Sequence, residues 1–172
     1  NCQKPLPVVE RFQRILKKAQ RSVDIPSSFV PIPGSESHRK DVETAVFSVG
    51  MIPDLDAKYF KLFFGTLRKT GFEGDIVVAI DPSTNQSNTE LCFKWSPVVY
   101  KPDLECKLPN ETKWKPADRE CRIHGTNDPK VSLNMMRYRL YLWWASKYEK
   151  NTNILIADFR DVFFQSNPFL YM

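Results

Sequence analysis

The stretch Asn153–Phe169, NILIADFRDVFFQSNPF, decides how this chain is read. Ile154 to Ala157 form an unbroken apolar run, which predicts a buried, central strand over residues 153–157. The run stops at Asp158. Arg160 and Asp161 follow at once, then an aromatic pair and the turn Asn167-Pro168. A carboxylate at the end of a buried strand is costly to desolvate unless it is paired. Two readings stand on the residues alone. In one, Asp158 or Asp161 pairs with Arg160 or caps the turn. In the other, Asp158 and Asp161 hold a divalent cation while Arg160 faces phosphate, since magnesium and manganese take carboxylate oxygens and share them with substrate phosphates.

Upstream, SLNMMRYRLYLWWASKYEK predicts a helix capped by Ser132, with Leu133, Met136, Leu140, Tyr141, Trp144 and Tyr148 recurring at helical spacing. Further back, TAVFSVG predicts a buried strand over 44–50. DLDAKYFKLFFGTLRKTGF predicts a helix capped by Asp54 or Asp56, with Tyr59, Leu62, Phe63 and Leu67 on one face and Gly71 at its end. DIVVAI predicts a second buried strand over 75–80, stopping at Asp81-Pro82; a short helix over 86–95 and a third strand around 97–101 follow. The order is β-α-β-α-β-insertion-α-β. Continuous apolar strands alternating with helices imply a parallel sheet covered on both faces, an α/β fold in which ligands bind beyond the carboxyl ends of the strands. Asp81 and Asp158 both lie at such ends.

The rest of the chain divides by composition. Residues 7–22 read as an amphipathic helix, with Val8, Phe12, Ile15, Leu16 and Ala19 on one side. Residues 24–43, rich in proline and polar groups, read as a linker. Residues 1–43 are thus expected to be a stem helix and linker, and residues 44–172 the domain, with the polar, proline-containing stretch 102–130 as a surface insertion. The chain stops at Pro168-Phe169-Leu170-Tyr171-Met172, which reads as a break inside a domain, so an incomplete domain is expected.

Several classes are disfavoured. The net charge of +5 is modest and its excess gathers in Arg11, Arg14, Lys17, Lys18 and Arg21, which argues against nucleic acid as a partner. The four cysteines, Cys2, Cys92, Cys106 and Cys121, include no CxxC pair, and only His38 and His124 could join them, so zinc is not expected. Neither a GxGxxG nor a GxxxxGK[ST] run is present. Cys106 and Cys121 flank a polar loop that a disulfide could close in an oxidising compartment; the alternative is two free thiols. Two N-glycosylation triplets, at Asn85 and Asn110, together with these cysteines favour the secretory pathway.

ILIADFRDVFFQSNPF resembles the signature of a group of eukaryotic GT-A-type glycosyltransferases, in which a strand leads into Asp-x-Arg-Asp-Val-x-Phe-Gln and a Pro-Phe turn. NMMRYRLYLWWASKY is similar to the Arg-Tyr-x-x-Tyr helix that precedes that signature. FFGTLRKTGFEGDIVVAI is similar to the group's Leu-Arg-x-Thr-Gly-Phe helix and second strand. The resemblance runs over residues 44–169, is most specific at the end, and does not reach residues 1–43.

The resemblance implies a Rossmann-like GT-A half-domain that binds a nucleotide-diphospho-sugar, a UDP-sugar first, through manganese or else magnesium. It would transfer the sugar to a glycan or glycoprotein acceptor in the Golgi lumen; a membrane anchor upstream is an inference from the linker and the secretory signs. Carried over by position, Asp158 and Asp161 are the metal ligands, Arg160 orients them or touches the donor, and Arg137 approaches the phosphates. Ser48, Val49 and Gly50 receive the nucleoside. Asp81 contacts base or ribose, or only caps the turn before Pro82. A strict Asp-x-Asp would place an acid at 160, where this chain has Arg160. No catalytic base is assigned. A competing reading is a non-catalytic nucleotide- or glycan-binding module derived from a truncated transferase. A sugar nucleotidyltransferase is disfavoured because SVGMIPD is a poor match to a glycine-rich first loop.

Overall fold

A computed structural model describes residues 29–52, 55–107 and 120–170. Four strands, β1 (Thr44–Gly50), β2 (Asp75–Ile80), β3 (Val98–Tyr100) and β7 (Asn153–Ile156), form a parallel sheet in the order β3-β2-β1-β7. β2 is buried at every position, as expected of a parallel strand covered on both faces. Alternate side chains serve two cores. Ala45, Phe47, Val77, Ala79 and Tyr100 face one, and Val46, Ile76, Val78, Ile80 and Val99 face the other.

The second core is closed by two helices. Helix α1 runs as α-helix over Ala57–Phe60, as π-helix over Lys61–Gly65, and as α-helix again over Thr66–Lys69. Asp56 is its N-cap, accepting from the Lys58 amide, and Asp54 lies outside the described residues. Gly71, at φ +79°, reverses the chain where a side chain would be strained. The buried stripe is Phe60, Phe63, Phe64 and Leu67; Leu62, expected on it, is 46% exposed. Phe63 and Leu67 are buried as expected and Tyr59 partly so, while Phe60 and Phe64 take the place expected of Leu62, because the choice among such closely spaced apolar residues is set by tertiary contacts. Helix α2 (Gln86–Phe93), capped by Asn85, adds Cys92.

The first core is closed by helix α3 (Leu133–Ala145), whose cap Ser132 accepts from the Met135 amide. Met136, Leu140, Tyr141 and Trp144 are buried on it. The region 102–130 is more than a surface insertion. Strands β4 (Leu104–Lys107), β5 (Glu120–Ile123) and β6 (Val131–Ser132) form an antiparallel sheet, and Cys121 and Ile123 enter the first core. Cys106 and Cys121 oppose each other across β4 and β5 and are disulfide-bonded.

Two expectations are corrected. Residues 29–43 are part of the domain, not a linker. The Ile32 amide donates to Val99 O at 2.9 Å, Glu36 to Pro97 O at 3.1 Å, and buried Phe29 stacks on Tyr100 with ring centroids 5.0 Å apart. Proline and polar residues suggested a tether, but the few apolar ones anchor a strap across the sheet. A polar relay fastens it: Arg39 pairs with buried Asp75, Tyr148 donates to Asp75 Oδ2 at 2.8 Å, and His38 lies between the hydroxyls of Tyr148 (2.8 Å) and Tyr100 (2.7 Å). The second correction concerns β7. It pairs with β1 alone and is an edge strand among the described residues, with Ile156 52% exposed. A short apolar run does not reveal how many of its sides are paired. The helix expected over 7–22 lies outside the described residues.

Candidate functional site

The chain leaves β1 towards β2 and β3 and returns to the other side of β1 as β7. Helices α1 and α2 cover one face and α3 the other. The strand order reverses between β1 and β7, and at such a point the loops after adjacent strands part and open a crevice. A cleft of about 330 Å³ lies there. Val49, Gly50, Met51 and Ile52 line it from the end of β1, Leu133, Asn134 and Arg137 from the start of α3, and Asp158, Phe159 and Arg160 from the turn after β7.

Of the residues singled out from the sequence, Val49, Gly50, Arg137, Asp158 and Arg160 are brought together in the cleft. The others sit elsewhere. Ser48 is fully buried and its hydroxyl donates to Ala157 O at 2.7 Å, stitching β1 to the end of β7. Asp81 caps the turn after β2, its Oδ1 accepting from the amide of Ser83 (2.8 Å) and from its hydroxyl (2.5 Å), and it does not line the cleft. Asp161 points away and is gripped by the Arg160 guanidinium, with Nε at 3.0 Å and Nη2 at 3.3 Å. That contact holds the Asp161 carboxyl below its ordinary range and raises Arg160.

Asp158 is held in place by its own turn. Its Oδ1 accepts from the amides of Arg160 (3.0 Å) and Asp161 (3.4 Å), while Oδ2 stands 3.9 Å from Arg137 Nη1. Arg137 also donates to Asn134 Oδ1 at 2.6 Å. Between Asp158 and Arg160 the backbone sends Phe159 the opposite way. Phe159 is 1% exposed and meets Phe60, Phe63 and Phe64 at ring-centroid distances of 5.3, 4.9 and 5.5 Å. The π-helical turn of α1 carries Phe63 and Phe64. Phe159 also lies over Gly50, where a Cβ would fall 2.8 Å from its Cδ1. Gly50 therefore admits the anchor that fixes Asp158 and Arg160.

Among the described residues the cleft carries two arginines against one aspartate, beside the N-terminus of α3, whose leading amides favour negative charge. Its floor of Val49, Gly50, Met51, Leu133 and Phe159 is apolar. This arrangement suits a flat apolar group joined to an anion. Asn134, Met51, Ile52 and Phe159 were not singled out from the sequence, and Leu133 was read there only as part of the helix's apolar stripe. The Ser132 cap and the position of Phe159 between two charged residues are the signals that pointed to them.

A divalent cation would find Asp158 within reach, but Asp161 would first have to leave Arg160. Among the described residues no group of three His, Cys, Asp or Glu side chains converges as a metal site. A wider depression of about 480 Å³ opens at the opposite, amino edge of the sheet. Its two arginines are engaged structurally, Arg68 on the carbonyls of Trp95, Phe72 and Gly74 and Arg39 on Asp75 and Glu73 O. We therefore assign the chemistry to the smaller cleft. In comparisons with family models, curated proteins and solved structures the chain matches none, so the reading of the cleft rests on its own residues.

Proposed function

We propose that the chain is the nucleotide-sugar-binding part of a GT-A-type glycosyltransferase. Its ligand would be a nucleotide-diphospho-sugar, a UDP-sugar first, bound with manganese or magnesium. The observation that carries this reading is the cleft at the β1–β7 reversal, where Asp158, Arg160 and Arg137 meet the N-terminus of α3 over an apolar floor. The base and ribose would lie on Val49, Gly50 and Met51, and Arg137 and Arg160 would take the phosphates as charge-assisted hydrogen-bond donors. Asp158, with Asp161 released from Arg160, supplies hard carboxylate oxygens suited to a divalent ion shared with two phosphates. An ion held by these carboxylates would supply Lewis-acid stabilisation of the negative charge on a leaving nucleoside diphosphate. The chain's own part is to hold the diphosphate in register and exclude water from its apolar side. The acceptor would be a glycan or glycoprotein and the setting the Golgi lumen. No helix among the described residues is long and apolar enough to cross a membrane.

A second reading is favoured by one contact. Because Arg160 occupies Asp161, one carboxylate among the described residues, that of Asp158, faces the cleft, as would suit a module that binds nucleotide without turnover. Calorimetric titration of UDP, with and without manganese, tests both. Binding that requires manganese and is lost in both Asp158→Ala and Asp161→Ala supports the transferase reading. Metal-independent binding that is lost only on changing Arg137 supports the binding module. No binding by the folded chain overturns both.

A further inference from the structure

We propose that Asn85 is an N-glycosylation site, and that the chain matures in an oxidising compartment with an oligosaccharide at the carboxyl edge of the sheet, one strand away from the cleft. The triplet Asn85-Gln86-Ser87 meets the acceptor rule, with no proline between asparagine and hydroxyl. All three residues are exposed, Asn85 as the N-cap of α2 and Gln86 and Ser87 in its first turn.

The geometry of the cap makes the modification compatible with the fold. Asn85 uses only its amide oxygen: Oδ1 accepts from the Asn88 amide at 2.8 Å and from the Ser87 hydroxyl at 2.9 Å. Its nitrogen, Nδ2, donates to nothing among the described residues. Glycosylation replaces one hydrogen on Nδ2 and leaves Oδ1 an amide oxygen, so both cap bonds survive. An asparagine whose Nδ2 held a loop together would not tolerate this.

The second, independent observation is the disulfide. Cys106 and Cys121 are joined at directly opposed positions of β4 and β5, and such bonds form and persist where the surroundings are oxidising. In the secretory pathway that condition coincides with the enzymes that glycosylate asparagine. The reaction needs one co-reactant, an oligosaccharide linked through pyrophosphate to a lipid. The bond from the anomeric carbon to the pyrophosphate oxygen breaks and the bond from that carbon to Nδ2 forms. The amide loses one proton and the lipid pyrophosphate leaves, with no change in oxidation state. This inference is independent of the proposed glycosyl transfer and survives its failure.

The test is translation of the full chain behind a cleavable secretion leader in the presence of microsomes. Asn110→Gln is used as the background, and only chain protected from added protease is analysed. The expected result is one mobility step, removed by peptide-N-glycosidase, with Asn85 converted to aspartate in heavy-oxygen water. Ser87→Ala should lose that step. Asn85→Asp should lose it as well while keeping the capping oxygen, and its urea midpoint should match that of the deglycosylated parent. Recovery of the Asn85 peptide unmodified from protected, disulfide-bonded chain overturns the proposal.

Discussion

Acidification from pH 6.5 to 4 should loosen the strap 29–43 through one residue, His38. Tyr148 has a single hydroxyl proton and donates it to Asp75, so the His38 Nδ1 facing it must carry a hydrogen. Nε2 is then the acceptor of the Tyr100 hydroxyl. The relay fixes one neutral tautomer. Burial, outweighing the attraction of Asp75, and helped by Lys147, pushes the imidazole down from 6.5 to about 4. Burial also raises the phenols of Tyr100 and Tyr148, the latter further through Asp75, so both stay protonated.

The sign follows from proton counts. Between the two values the unfolded chain binds a proton at His38 that the folded chain refuses, so stability rises with pH in that window. The contribution is complete above pH 6.5, falls as pH drops, and is lost by about pH 4. At about 1.4 kcal/mol per pH unit the whole span is roughly 3 kcal/mol, a ceiling because the ring keeps some contact with water. Urea unfolding at closely spaced pH values, on the parent and on His38→Gln, measures it. The two stability curves should converge on acidification, with a slope approaching that value. Parallel curves over pH 4–7 would refute the tautomer argument.

Three further outcomes are expected. Gly50→Ala should cost about 1–3 kcal/mol by forcing Phe159 off its seat, and UDP–manganese affinity measured calorimetrically should fall with it. Replacing Cys106 and Cys121 together by serine should remove about 3 kcal/mol, since the bond spans a separation of 15 residues; urea midpoints check this, and UDP binding to the folded fraction should be unchanged. Arg137→Met should weaken UDP binding by about 1.5–3 kcal/mol, the contribution of a charge-assisted hydrogen bond, without shifting the urea midpoint.

The parallel sheet was legible because each strand is an apolar run bounded by a turn signal, and the helix caps at Asp56, Asn85 and Ser132 stand in the sequence as short polar side chains. Asp158 and Arg160 were legible because charge at the end of an apolar strand needs a reason, whereas Arg137, within α3, was pointed to only by the resemblance of its helix to the Arg-Tyr-x-x-Tyr pattern. Other features depend on contacts between distant residues. The pairing of Arg160 with its neighbour Asp161 was one of two readings open on the residues alone, but nothing local says that Ser48 binds Ala157 O. The strap was misread because Phe29, Ile32 and His38 are scattered among prolines, and their partners Tyr100, Val99 and Tyr148 lie far along the chain. The edge position of β7 was hidden because a strand's own residues do not count its neighbours.

The alternation Asp158-Phe159-Arg160 also bears on the thermodynamics of capture. With Phe159 set among Phe60, Phe63 and Phe64, folding has already fixed the backbone of its two charged neighbours. A ligand that meets the prearranged Asp158 carboxylate on a fixed backbone loses little chain entropy on binding, so more of the contact enthalpy appears as affinity. The compliance that remains lies in the Arg160 side chain, whose guanidinium is held by the exposed Asp161 carboxylate and not by the buried anchor.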